Sequence, residues 1–133
     1  MSRARTVMLA PLLAVLAVLA VSLAGCAAPV ASPVGTPAVT LELTAHNVAF
    51  DKTQLSVPAD ATFAILLDNE DSVPHNVVIS GNGVNQGSAV FSGPASRTYL
   101  FAGLPPGTYT FTCQVHPEMH GTITSVAESG SAP

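Results

Sequence analysis

Three side chains able to bind a metal or carry redox chemistry fall within seven residues near the end of the chain. They are the thiol of Cys113, the imidazole of His116 and the thioether of Met119, each three residues from the next. A second imidazole, His75, lies far upstream in Val73-Pro74-His75-Asn76-Val77. Thiolate and imidazole are borderline-soft donors. Two His and one Cys in a plane, with a weak axial Met, suit a single copper ion that changes oxidation state. Other chemistries stay open on the bare residues. Cys113 and His116 could form a nucleophile–base pair, or ligate zinc, but both leave Met119 and His75-Asn76 without a role. His120 either competes with Met119 for the axial position or faces solvent, and solvent is the favoured reading. His46 is read as a structural or surface residue on an early strand.

These ligands need a scaffold that brings residue 75 to residues 113–119. The pattern between residues 39 and 127 predicts strand after strand. Extended segments are expected at 40–44, 47–50, 54–57, 62–67, 76–80, 89–92, 96–101, 108–112 and 122–126, with Gly, Pro and polar turns between them. Gly81-Asn82-Gly83 is a strong turn signal. Seven or eight short strands at regular spacing predict an all-β sandwich or barrel. Side chains alternate across a strand, so Tyr109, Phe111 and Cys113 share one face. With Tyr109 and Phe111 in the core, Cys113 ends its strand facing inward. Pro74 and Pro117 flank the two His residues and restrict both loops.

The N-terminus reads as an address. Arg3 and Arg5 precede an apolar run, and residues 6–41 carry no charge. A basic start, an apolar middle and small residues before a cut describe an export signal. Leu23-Ala24-Gly25-Cys26 resembles the bacterial lipoprotein signal. That resemblance implies a signal peptide over 1–25, lipid on Cys26, and a chain held on the outer face of a membrane. An uncleaved anchor is the alternative, because the apolar run is near the roughly 20 residues that span a bilayer. Residues 27–38 are Ala, Pro, Ser, Thr, Val and Gly, and 26–38 is expected to be a loose linker. Residues 128–133 are expected to fray. With Cys26 lipidated, Cys113 has no disulfide partner, and a lone thiol in an oxidising compartment calls for burial or a metal.

Charge narrows the partners. Beyond residue 25 the basic residues are Lys52 and Arg97, against eight acids, for a net charge of −6 with His neutral. Such a surface repels nucleic acid phosphates. It suits a basic docking partner.

The pairing of Pro74-His75-Asn76 with Cys113-x-x-His116-x-x-Met119 resembles the cupredoxin (type 1 blue copper) family, most closely its amicyanin-like members with short ligand loops. The resemblance covers residues 39–127. It implies a Greek-key β-sandwich and one type 1 copper ion held by His75, Cys113, His116 and Met119. One-electron transfer without catalysis follows from the same resemblance. Asn76 is implied to brace the Cys-bearing loop, at Thr112. His116 is implied to reach a solvent-facing apolar patch where a redox protein docks. The expected function is therefore a membrane-tethered electron carrier, monomeric by default. Copper storage, delivery or oxidase assembly with the same ligands is the alternative.

Overall fold

The computed structural model describes residues 35–129. The signal peptide, Cys26, most of the linker and the end of the tail lie outside the described residues. Among those described there are eleven strands and no helix, so none is long and apolar enough to cross a membrane. They are β1 (Thr40–His46), β2 (Ala49–Phe50), β3 (Gln54–Pro58), β4 (Phe63–Asn69), β5 (Pro74–His75) and β6 (Val78–Gly81). Then come β7 (Val84–Gly87), β8 (Phe91–Ser92), β9 (Ala95–Phe101), β10 (Gly107–Thr112) and β11 (His120–Val126). Eight of these have four or more residues, in line with the seven or eight expected. The other three are two-residue pairings; β2 lies within the expected segment at 47–50, and β5 has no periodicity to reveal it. The expected segment at 89–92 shrinks to Phe91–Ser92, and β7 was not foreseen.

Two sheets form the sandwich. One has the order β2-β1-β4-β9, the other β3-β11-β10-β6-β7. Each contains one parallel pair, β1 with β4 and β3 with β11, so the chain crosses between sheets rather than running as simple hairpins. Leu43, Ile65 and Leu67 from the first sheet meet Val57, Ile79, Phe111 and Ile123 from the second in one buried cluster. Phe50 of β2 packs on Phe111 of β10 with ring centroids 5.6 Å apart, bridging the sheets below the metal loop. Phe63 and Phe101 stack at 5.4 Å as register partners on β4 and β9. Burying side chains of this size contributes about 1.5–3 kcal/mol each.

Local chemistry fixes the register around the ligand strands. β6 and β7 are joined through Asn82 (φ 49°) and Gly83 (φ 80°), both left-handed. An Asn-Gly pair in that conformation matches the strand twist and sets a two-residue hairpin. β10 lies between β6 and β11, with Phe111 opposite Ile79 and Gly121. Tyr109 and Phe111 are buried, as their parity required, and the Tyr109 hydroxyl donates to Pro105 O at 2.8 Å.

Gly121 is needed for the approach of β11 to β10. A Cβ there would lie 2.4 Å from the Phe111 ring and 2.5 Å from Thr53 O. That carbonyl already accepts from the Thr122 N–H at 2.9 Å, so it cannot give way cheaply. Gly121→Ala is expected to destabilise the domain by about 1–3 kcal/mol, the usual cost of overpacking. Urea unfolding of the metal-free protein measures this, and an unchanged midpoint would contradict it.

Candidate metal centre

Cys113 follows directly after β10, and its side chain is fully buried on the Tyr109–Phe111 face. The chain then turns back in six residues. The Met119 N–H donates to His116 O at 2.9 Å, which closes a β-turn with Pro117 at its second position. Proline presets the backbone angle that this position requires. The Cys113 N–H donates to Met119 O, also at 2.9 Å, which seals the loop where β11 begins. These two bonds hold Cys113, His116 and Met119 on the inner side of one tight loop.

His75 arrives from β5, which pairs with β8 through the register His75↔Phe91. Its ring is completely buried. His75 Nδ1 lies 3.8 Å from Cys113 Sγ and 3.1 Å from His116 Nδ1. The ligand atoms of all three residues fall within 4.8 Å of one another. Metal–nitrogen bonds of about 2.0 Å and metal–sulfur bonds of about 2.3 Å put donors of a planar three-ligand site roughly 3.5–3.8 Å apart. The observed separations bracket that range. His116 is only half-buried, so it is the member of the trio nearest solvent.

The structure separates the two axial candidates. Met119 is 2 % exposed and belongs to the core cluster that contains Cys113. His120 is the first residue of β11, exposed, with Nδ1 3.3 Å from Pro117 O. His46 is exposed and pairs with Glu70 at 3.0 Å, as a surface residue. Cys113, the one cysteine among the described residues, is free.

The brace from Asn76 is present, but its partner differs from the one expected. Asn76 Nδ2 donates to Gln114 Oε1 at 2.8 Å, and the Gln114 N–H donates to Asn76 Oδ1 at 2.9 Å. Asn76 Nδ2 also lies 3.2 Å from Ser88 O, which accepts. Thr112 is not the contact. It is still within β10, committed to register partners Val78 and His120. Gln114 lies beyond the strand end, where its N–H is free for a side chain.

Sequence reading also missed Asp71, four residues before His75. Its carboxylate accepts from His75 Nε2 at 2.9 Å. It also accepts from the backbone N–H groups of Asn47 (2.8 Å) and Val48 (2.9 Å). Those two residues form the β1–β2 turn and both have positive φ, 52° and 57°. A left-handed conformation costs a β-branched residue such as Val48 about 1–2 kcal/mol, and the carboxylate bonds help hold it there. Asn69 supports the same loop. Its Oδ1 accepts from the Asp71 N–H, and its Nδ2 donates to Val73 O and Phe91 O, each at 3.0 Å. The signal that could have found Asp71 was His75 itself. A buried imidazole that offers one nitrogen to a metal must place its other N–H on an acceptor nearby.

Buried soft and borderline donors, with a thioether instead of a carboxylate as fourth group, fit copper better than zinc. The fold and the site then meet the comparisons. A model of the cupredoxin-like domain matches residues 12–125. The chain belongs to the cupredoxin-like family. No curated protein gives a significant match. Among solved structures, auracyanin B is 26% identical, with a TM-score of 0.60 over 69% of this chain and 91% of its own. Auracyanin A, a blue copper protein of Chloroflexus aurantiacus, is 22% identical, with a TM-score of 0.57 over 65% and 98% of the two chains. Amicyanin from Paracoccus versutus is 19% identical, with a TM-score of 0.52 over 68% and 85%. The latter two show a shared fold. Within that family, His75, Cys113, His116 and Met119 are positioned to bind one type 1 copper ion.

The Val48 N–H, the His75 ring and the Asn47 N–H favour the charged form of Asp71 and take its pKa from the usual 3.8 to about 2. A depressed carboxylate contributes stability above its unfolded pKa and loses it as pH falls through the folded value. The metal-free protein is therefore expected to lose this contribution between about pH 4 and pH 2. Thermal unfolding of wild type and Asp71→Asn across that interval checks it. The two curves should converge in acid, and parallel curves would contradict the assignment.

Proposed function

We propose that this chain is an extracytoplasmic electron carrier, tethered to a membrane through lipid on Cys26, with one copper ion held by Cys113, His75, His116 and Met119. The observation that carries the reading is the buried meeting of Cys113 and His75 with the half-exposed His116 on a loop closed by two backbone hydrogen bonds. Copper, when bound, supplies a one-electron couple between its cuprous and cupric states. The chain's own residues do the rest. Cys113 gives up its proton and binds as thiolate, a form that a metal stabilises in a buried site. His75 binds through Nδ1 because Asp71 occupies Nε2. Met119 would hold the ion through its thioether, a weaker donor offered from the core.

Rigidity is what an electron carrier needs, since ligands that stay in place between oxidation states keep the barrier to transfer low. The loop bonds, the Asn76–Gln114 clasp and the Asp71 contact supply it. Burial of Cys113, His75 and Met119 favours a carrier over a copper-delivery protein, whose ligands must be open to exchange. No substrate is transformed in this reading, so the chain is not an enzyme.

His116 is the proposed exit for the electron. Val115 beside it, Val73 two residues from His75, and Val90 next to the His75 partner Phe91 are all exposed. These apolar side chains support docking of a redox protein over His116. The net charge of −6 beyond residue 25 favours a basic rim on that partner.

Adding Cu(II) to metal-free protein is expected to give an intense visible thiolate-to-copper band and a reversible one-electron potential. Cys113→Ser should abolish the band while leaving the fold intact by circular dichroism. A colourless protein that retains zinc in preference to copper would overturn the reading. Tethering is tested separately. Cys26→Ser is expected to move the protein from the membrane fraction to the soluble extracytoplasmic fraction of the producing cell, and unchanged membrane retention would contradict lipid anchoring.

A further inference from the structure

The Asp71 carboxylate joins two parts of the domain that the metal site does not otherwise connect. One is the β1–β2 turn, through the Asn47 and Val48 amides, and the other is the buried ring of His75. Its side chain is only 14 % exposed, and that of His75 is fully buried. Asn69 fixes the loop from behind by accepting from the Asp71 N–H. Glu70, one residue away, is a useful contrast. It is half exposed, pairs with His46 on the surface and makes no contact with a ligand.

We infer that Asp71 is a positioning residue for the copper site: by accepting the Nε2–H of His75 it turns Nδ1 toward Cys113 and His116, and its negative charge favours the oxidised ion. The inference rests on the reading of His75 as a ligand. Two physical consequences follow from the contact. A carboxylate on the far nitrogen fixes the tautomer and makes the near nitrogen a stronger donor. A fixed negative charge one imidazole ring from the metal lies in a poorly screened environment, so it stabilises the higher positive charge more than the lower one. Both effects lower the reduction potential. Asp71 is therefore part of how this chain sets its potential, a role the four ligands alone do not reveal.

The magnitude follows from the general behaviour of such partners. Loss of a group hydrogen-bonded to a metal-binding His typically costs 10–100-fold in metal affinity. The oxidised form should lose more than the reduced form. A tenfold difference between them corresponds to about 59 mV for a one-electron couple.

The test compares copper-loaded wild type, Asp71→Asn and Glu70→Gln by voltammetry and visible absorption. Asn at position 71 keeps an acceptor for His75 Nε2 and removes the charge. Its potential is expected to rise by about tenfold in the oxidised-to-reduced equilibrium, about 59 mV, with the visible band retained. Glu70→Gln removes a neighbouring charge without the contact and should leave the potential within a small fraction of that shift. An Asp71→Asn potential equal to wild type, or an equal rise in Glu70→Gln, overturns the inference while leaving the copper site intact. A wild type that never develops the visible band overturns the copper reading itself, and this inference with it. Nitrogen-15 NMR of the cuprous wild type decides the tautomer without any variant. A proton on His75 Nε2 supports the inference, and a bare Nε2 overturns it even if Asp71→Asn fails to fold.

Discussion

Asn76 and Gln114 are 38 residues apart in the chain, yet each donates to the other, at 2.8 and 2.9 Å. This two-way clasp is the constraint on which the site depends. One half of it is the residue after His75, and the other is the residue after Cys113. With the clasp closed, an imidazole and a thiol that the sequence keeps far apart are held 3.8 Å from each other inside the domain. The ladder bonds of β6 and β10 bring the two segments alongside, but they end at Val78 and Thr112. Beyond those residues the connection continues through the Asn76 side chain, which meets both the side chain and the backbone N–H of Gln114. A buried amide with both ends satisfied suits this task, because losing the exposed Gln114 would leave polar atoms of the fully buried Asn76 without these partners.

The second constraint is how the imidazole is presented. A buried His has two nitrogens to satisfy, and only one can face a metal. Asp71 takes the other, and the same carboxylate secures a turn whose Val48 sits in an unfavourable backbone conformation. The turn, the loop after β4 and the ligand strand β5 thus share one acceptor. Such sharing makes the ligand geometry a property of the whole end of the sandwich rather than of a flexible loop. It also explains why a short loop suffices on the Cys113 side, since His75 is already fixed when the loop closes over it.

Much of this was legible in the residues. The ligand types, their three-residue spacing and the His-Asn pair pointed to copper, and parity placed Cys113 at the inner end of its strand. Alternation and turn residues outlined the longer strands, and Gly81-Asn82-Gly83 marked a hairpin that the structure contains. What stayed hidden lacked a periodic or compositional signature. β5 is two residues long and exists only because β8 meets it, while β2 and β8 are the two-residue cores of the expected segments at 47–50 and 89–92. β7 carries Asn85 and Gln86 and reads as a polar loop. Asp71 is one of eight acids in the sequence, and Gln114 an amide on the ligand loop with no pattern to single it out. Both acquire their roles from groups brought close by tertiary folding, which a local pattern cannot register. Met119 and His120 illustrate the same limit. Adjacent in sequence and both capable ligands, they are separated only by the strand parity that buries one and exposes the other.

The domain therefore couples a shared scaffold to a site held from outside by the Asn76–Gln114 clasp and the Asp71 contact. The scaffold is the two-sheet sandwich shared with the auracyanins and amicyanin, while the Asp71 hub ties this chain's first hairpin to its first ligand. Copper-edge X-ray absorption of the loaded protein, recorded in both oxidation states, tests the central claim most directly. The account predicts a first shell of two nitrogens and one sulfur, with a second sulfur farther away, in the oxidised and reduced protein alike. A first shell of nitrogen and oxygen without sulfur, or a coordination number that changes with oxidation state, would contradict it.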